Sequence, residues 1–226
     1  MTPFRVALYW APEEDDPLHA RGSAWLGRDA STGAALSQPA LDGVDVPALT
    51  AEPRGYGLHA TLKPPFRPAR GYRALLADAA AFATATAPFD LPPLAVQDLD
   101  GFLALRESAP CPPLRAFADG CVTALDDHRA PPTPEEIARR RPERLSETQR
   151  ALLLRWGYPY VLGEWRFHVT LTRRLTPEEK AVVLPAATAF LGDAPGRARR
   201  VVALSIFVQM AAGAPFTIAA RLPLRG

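Results

Sequence analysis

The chain writes one short pattern twice. Gly57-Leu58-His59-Ala60-Thr61-Leu62-Lys63 and Phe167-His168-Val169-Thr170-Leu171-Thr172 lie about half of the 226 residues apart. Each sets a histidine and a threonine two positions apart in an apolar, β-like run. Side chains alternate faces along a strand, so His59 and Thr61 project from one surface, roughly 6.6 Å apart at about 3.3 Å per residue. Leu58, Ala60 and Leu62 face the opposite way, into apolar packing. His168 and Thr170 repeat this, with Phe167, Val169 and Leu171 opposed. The chain must therefore bury two strands by one face while keeping an imidazole and a hydroxyl on the other.

The elements around the motifs extend the repeat. Phe4 to Trp10 reads as a first strand, Asp16 to Leu26 as a short helix, and the Gly-, Pro- and Asp-rich residues 29–53 as an irregular connection. The first motif strand spans Gly57 to Leu62 and should stop at Pro64-Pro65. Helical spacing from Tyr72 to Ala83 follows, then strands at Phe89 to Val96 and Gly101 to Arg106. Leu114 to Leu125 reads as a helix. Thr133-Pro134-Glu135-Glu136 and Ser146-Glu147-Thr148-Gln149 open two more as capping boxes. The second motif strand, Glu164 to Thr172, precedes a helix capped at Thr176-Pro177-Glu178-Glu179, which Pro185 should kink. Strands at Arg200 to Met210 and Phe216 to Leu222 close the order. Each motif is thus followed by a helix and two strands. The expected fold is α+β, with two pseudo-symmetric β-α-β-β lobes whose antiparallel-rich sheets form one central cleft. Residues 1–226 would make a single bilobal domain, with lobe 1 at about 1–106, a helical connection at 107–163 and lobe 2 at about 164–226.

Two imidazoles facing one phosphodiester can divide the proton transfers of hydrolysis. The neutral one takes a proton from water or a hydroxyl, and the protonated one donates to the leaving oxygen. A pKa near 6.5 suits both tasks. Threonine hydroxyls can donate to the non-bridging oxygens. Zinc is the competing reading, but no third ligand stands at a recognisable spacing and threonine is a poor ligand; no metal and no cofactor are expected. His19 and His128 lack the motif context and are expected at the surface. The net charge of +2 argues against a nucleic-acid partner while leaving a local basic cleft open. No signal-like or membrane-spanning run is legible. Cys111 and Cys121 match no ligand or redox spacing. A soluble, cytoplasmic monomer acting on a small molecule is the expectation.

The pair His59-Ala60-Thr61-Leu62 and His168-Val169-Thr170-Leu171 resembles the signature of the 2H phosphoesterase superfamily, the LigT-like proteins with two H-x-[ST] motifs on symmetry-related strands. YWAP at Tyr9 to Pro12, GSAWLGRDASTG at Gly22 to Gly33, YGLHATLKPPF at Tyr56 to Phe66 and RRRPERLSETQRALLLRWGYPYV at Arg139 to Val161 narrow the resemblance to a bacterial branch encoded beside phosphonate-degradation genes. The resemblance implies a metal-independent cyclic phosphodiesterase with His59, Thr61, His168 and Thr170 as catalytic residues. It points to 5-phosphoribosyl 1,2-cyclic phosphate as a substrate. RNA ends bearing 2′,3′-cyclic phosphate, or phosphate binding without turnover, are the alternatives.

Other residues are candidates for holding substrate. Lys63 follows the first motif and is, with Lys180, one of two lysines in the chain; it could offer a point charge to a second phosphate, or sit solvated at the strand end. Arg54 and Tyr56 precede the first motif. Arg166 shares the face of His168 and Thr170 by alternation. Tyr9, with Trp10, and Tyr158 and Tyr160, with Trp156, could form a stacking wall, or belong to the core. Arg139-Arg140-Arg141 with Arg144 reads either as a phosphate-gripping lid or as a solvated helix face.

Overall fold

The computed structural model describes residues 2–226. Its elements run β1 Arg5–Trp10, α1 Pro17–Leu26, α2 Val46–Leu49, α3 Ala51–Tyr56, β2 Ala60–Phe66, α4 Tyr72–Thr84, β3 Phe89–Leu91, β4 Leu94–Leu99, β5 Phe102–Glu107, α5 Pro112–Ala124, α6 Pro134–Ala138, α7 Glu147–Trp156, β6 Val169–Arg174, α8 Pro177–Leu191, β7 Arg199–Val201, β8 Ala203–Gln209 and β9 Phe216–Pro223. The fold is α+β. Helix starts follow local chemistry: Asp16 caps α1, and Thr133, Ser146 and Thr176 each close a capping box with the residue three positions on. α8 continues through Pro185.

The main sheet has seven strands in the order β4-β5-β6-β2-β1-β8-β9, and every pair in it is antiparallel. The motif strands β2 and β6 lie at its centre. Outward from them, β6-β5-β4 on one side mirrors β2-β1-β8 on the other, with β9 added at one edge. This corrects the expected lobe boundaries. β4 follows the first motif in sequence but joins the half containing the second, and β8 does the reverse. The halves interlock, because β5 pairs with β6 and β1 pairs with β8 rather than each lobe closing on itself. A third short strand also appears in each repeat. Pro92 and Pro93 divide the expected Phe89–Val96 strand, and the detached pieces β3 and β7 pair with each other as a separate two-stranded sheet.

β1 is buried on both faces, as its run RVALYW suggests. Val6, Leu8 and Trp10 join the main core with residues of α1, α4, α5 and α8. Ala7, Tyr9 and Ala11 join a smaller cluster with Phe207 and Phe216. No helix among the described residues is long and apolar enough to cross a membrane.

β2 departs from simple alternation. It runs through Pro64 and Pro65 instead of stopping there. Its register against β1 steps from Tyr9↔Thr61 to Leu8↔Lys63 and then to Val6↔Phe66. These are bulges, where proline removes no ladder bond. The first bulge buries Leu62 and Lys63 in succession, so Lys63 turns away from the face of His59 and Thr61. Its Nζ donates to the Val122 carbonyl at 2.9 Å and to Asp126 Oδ1 at 3.0 Å, with the residue 1% exposed. Lys63 is therefore not available to hold substrate, contrary to the expectation. Arg129 completes the network with two bonds to Asp126, at 2.8 and 2.9 Å. Burial depresses the Lys63 pKa, and Asp126 partly restores it. His19 and His128, expected at the surface, are buried too: His19 Nε2 lies 3.3 Å from Asp29, and His128 Nε2 lies 2.7 Å from Asp78 of α4.

Replacing a buried ion by an apolar side chain of similar length is tolerated, whereas stranding its partner is not. Lys63→Met is expected to change stability by no more than about 1 kcal/mol, because Arg129 still neutralises Asp126. Asp126→Ala, which leaves Lys63 with the Val122 carbonyl but no counter-charge and strips Arg129 of its partner, is expected to cost about 3–5 kcal/mol. Urea denaturation of both variants checks this; equal losses would show that Lys63 itself carries the stability.

Candidate active site

β2 and β6 share a single bridging pair, Ala60↔Val169. Both side chains are fully buried in the core. In an antiparallel ladder the neighbours of that pair follow directly: His59 comes opposite Thr170, and Thr61 opposite His168. All four point away from the core. Directly opposed Cβ atoms lie about 4.5–5.5 Å apart and diagonal ones roughly 7–8 Å, which sets the scale between the two histidines. Both histidines sit one residue before their strands begin, so β6 starts later than the expected Glu164. Beyond the bridge the strands part. There Trp165 Nε1 donates to the Thr61 carbonyl at 2.8 Å, in place of a ladder bond.

Both imidazoles are anchored alike. His59 Nδ1 bonds the Gly57 carbonyl at 2.9 Å, and His168 Nδ1 bonds the Arg166 carbonyl at 2.8 Å. A carbonyl only accepts, so each Nδ1 carries the proton and each Nε2 is left as the working nitrogen. Thr61 Oγ1 lies 3.3 Å from His59 Nε2 and donates to it. Gly57 makes its anchor possible: its φ of +80° suits glycine, and a Cβ there would stand 2.5 Å from Ala30 Cβ.

The surroundings of the two rings differ. His59 stacks on Tyr9 at 3.9 Å between centroids, with Tyr56 and Phe207 each at 5.9 Å. Burial lowers its pKa to about 4; the bond to Gly57 opposes that shift and His168 adds to it. His168 meets only the edge of Phe102, at 5.9 Å. Its pKa is also lowered, first by burial, against the bond to Arg166, and further by Arg106. The ladder explains that last influence: Leu105↔Val169 and Ala104↔Thr170 bring Arg106 opposite His168. The equivalent place beside His59 is held by Ala11.

The cleft has two connected recesses, of about 360 and 410 Å³. His59 and Thr170 line the first and His168 the second, while Thr61, Phe102, Tyr158 and Arg174 line both. The other sequence candidates divide. Tyr56 lines the His59 recess, Tyr158 lines both, and Tyr160 and Arg166 line the His168 recess; Arg166 also lies 3.5 Å from Asp100. Tyr9 is only 1% exposed and acts as the floor under His59 rather than as an open stacking wall. Arg54 is turned away: its guanidinium bonds the Leu26 and Pro47 carbonyls, Gln38 and Thr50, tying α3 to the preceding connection. Arg106, Phe102 and Arg174 were not singled out from sequence. For Arg174 the signal is the alternation of the second motif strand itself, carried two residues past Thr172; for Phe102 and Arg106 it is strand parity, readable only once β5 is known to pair with β6. Among the described residues, no group of three or more His, Cys, Asp or Glu side chains is placed to hold a metal ion.

Comparison with known proteins gives the following. A protein from Janthinobacterium sp. (strain Marseille), named ribose 1,5-bisphosphate phosphokinase PhnN, is 38% identical over 231 residues, covering 98% of this chain and 51% of that protein. One of the same name from Laribacter hongkongensis (strain HLHK9) is 36% identical over 217 residues, covering 95% of this chain and 50% of that protein. The chain thus spans about half the length of these relatives. Among solved structures, E. coli LigT complexed with 3′-AMP aligns over 99% of both chains, with 14% identity and a TM-score of 0.49. TT0787 of Thermus thermophilus aligns over 98% of both, with 17% identity and a TM-score of 0.48. The resemblance to 2H phosphoesterases rests on the motifs themselves, two H-x-T units meeting at the centre of one sheet. The family described as "Protein of unknown function (DUF1045)" matches residues 61–217, which take in Thr61, His168 and Thr170, and the chain belongs to that family.

Proposed function

We propose that this protein is a phosphodiesterase of the 2H type that opens a small cyclic phosphate by proton transfer between two histidines. The observation that carries the reading is the pair of Nε2 atoms, each freed by an identical backbone anchor and each flanked by a threonine across one ladder. His59, packed among aromatic rings and with its pKa lowered to about 4, acts as general base. Its Nε2 takes a proton from water as the water oxygen attacks phosphorus. The P–O bond to the ring oxygen breaks, and protonated His168 delivers its proton to that oxygen. The product is a phosphomonoester and a free hydroxyl, with the proton now on His59; exchange with solvent resets the pair. Thr170, and Thr61 once the water replaces it at His59 Nε2, donate to the non-bridging oxygens, where charge gathers. Each step is accounted for by proton transfer and hydrogen bonding.

We propose 5-phosphoribosyl 1,2-cyclic phosphate as the substrate. The relatives' name supports this class. Ribose 1,5-bisphosphate is the same sugar with the same two phosphorylated carbons, and closing the C1 phosphate onto O2 gives the cyclic ester. Rapid opening of 2′,3′-cyclic ends on RNA with no action on the sugar ester would replace this assignment by the RNA-end reading.

Three results test the chemistry. His59→Ala and His168→Ala are each expected to lower kcat about 10²-fold or more, with circular dichroism unchanged and wild-type turnover unaffected by EDTA. Turnover surviving in either variant rejects the two-histidine mechanism. The division of roles is read with a p-nitrophenyl phosphodiester, whose good leaving group needs little acid assistance. His168→Ala should be markedly less impaired on it than His59→Ala, and the reverse order exchanges the assignments. The third result is a stability profile. With the folded pKa of His59 near 4, below its ordinary 6.5, the unfolded chain binds a proton between these values that the native imidazole does not. Stability should therefore fall as pH drops from about 6.5 to about 4. His59→Gln should flatten that part of the urea-midpoint profile, and an unchanged profile would place His59 in a solvated setting.

A further inference from the structure

Beside the His59 end of the cleft lies a third recess, of about 270 Å³, below the ~300 Å³ at which pockets begin to enclose drug-sized ligands. Five arginines line it, Arg5, Arg67, Arg129, Arg139 and Arg140, against one carboxylate, Glu136. That imbalance is local, since the whole chain carries only +2. Two of the five are neutralised: Arg67 pairs with Glu136 at 3.2 Å and Arg129 with Asp126 at 2.8 Å. Among the described residues, Arg5, Arg139 and Arg140 pair with no carboxylate. Two of these three are oriented by other means. Arg140 lies over the Tyr158 ring at 4.7 Å, and Arg5 bonds Gln209 through Nε at 2.8 Å and lies over Phe216 at 5.5 Å. Among the described residues, the terminal nitrogens of Arg5 have no hydrogen-bond partner. Guanidinium groups gathered around one hollow repel each other until an anion enters, and their fork geometry matches phosphate oxygens.

The recess is continuous with the cleft. Tyr56, Pro65 and Arg140 line both it and the His59 recess. We infer that it is a subsite for a second, terminal phosphoryl group of the substrate, with Arg139, Arg140 and Arg5 as its ligands and Tyr56 as the wall along which the sugar passes. The inference rests on the phosphodiesterase reading above and narrows it to cyclic phosphodiesters that also carry a phosphomonoester.

Two measurements test it. The first compares kcat/KM for ribose 1,2-cyclic phosphate with and without the 5-phosphate. Wild type should prefer the 5-phosphorylated ester by roughly 10- to 100-fold, the worth of about one charge-assisted hydrogen bond. Arg139→Glu should shrink that ratio towards one, whereas general damage would lower both rates alike. The second is calorimetric binding of ribose 5-phosphate, which Arg139→Glu should weaken at least 10-fold while Arg139→Lys retains most of it. Equal efficiency on the two esters, no binding of ribose 5-phosphate by wild type, or binding indifferent to Arg139→Glu would each overturn the subsite. If wild type opens no cyclic ester at all, the phosphodiesterase reading fails and the calorimetry alone decides the subsite.

Discussion

One backbone pair at the middle of the sheet, Ala60 against Val169, determines whether there is a site at all. The two residues are small and apolar, and both are fully buried. Because strand side chains alternate, that register alone sends His59, Thr61, His168 and Thr170 to the opposite surface. A slip of one residue would turn one motif's polar pair into the core. The penalty for burying an imidazole and a hydroxyl without partners makes the observed register the stable one. The interlocked topology then holds it from both sides: β1 and β8 grip β2, while β5 and β4 grip β6, and each grip includes a strand from the other half of the chain.

Symmetry of the backbone does not extend to the chemistry. Each histidine is fixed by the carbonyl two residues before it, but the strands flanking them differ. Beside β2, β1 contributes Tyr9 and Ala11, and the His59 ring is packed among aromatics. Beside β6, β5 contributes Ala104 and Arg106, and His168 stands nearer solvent with a cation opposite. Two equivalent positions thereby meet different surroundings: burial among aromatics lowers the His59 pKa to about 4, while burial with Arg106 opposite lowers that of His168, the kind of asymmetry that the proposed division into base and acid would use.

The sequence made the paired motifs and helix caps legible because both are local. A histidine and threonine two apart, or a Thr-Pro-Glu-Glu run, commits its own few residues whatever the rest of the chain does. Pairing between distant strands is not local, and there the reading failed. Nothing near β4 says that it joins the half containing His168. Nothing near Arg106 says that it faces that histidine. Lys63 shows a subtler failure. Alternation carries it to the cleft, but the bulge between Thr61 and Lys63 rotates it into the core, where Asp126, far along the chain, was waiting as its partner. Arg54 likewise read as a phosphate ligand until the connection it holds in place was visible.

The free cleft is short of a proton. Burial lowers the pKa of both imidazoles, that of His59 to about 4, and Arg106 further discourages a charge on His168. In the proposed mechanism the acid would therefore gain its proton as substrate enters. A phosphodiester carries negative charge into a low-dielectric recess, where it favours the protonated form of the nearest imidazole. Binding and protonation are reciprocal: an anion that binds the protonated form more tightly raises the proton affinity of His168 by the same factor. On this argument the arginines proposed to hold a distant phosphate would do more than that. In the proposed mechanism, by raising the occupancy of the cleft they would raise the share of molecules in which the anion favours a protonated His168, and a ligand lacking that second charge would bind less and so bring that charge less often.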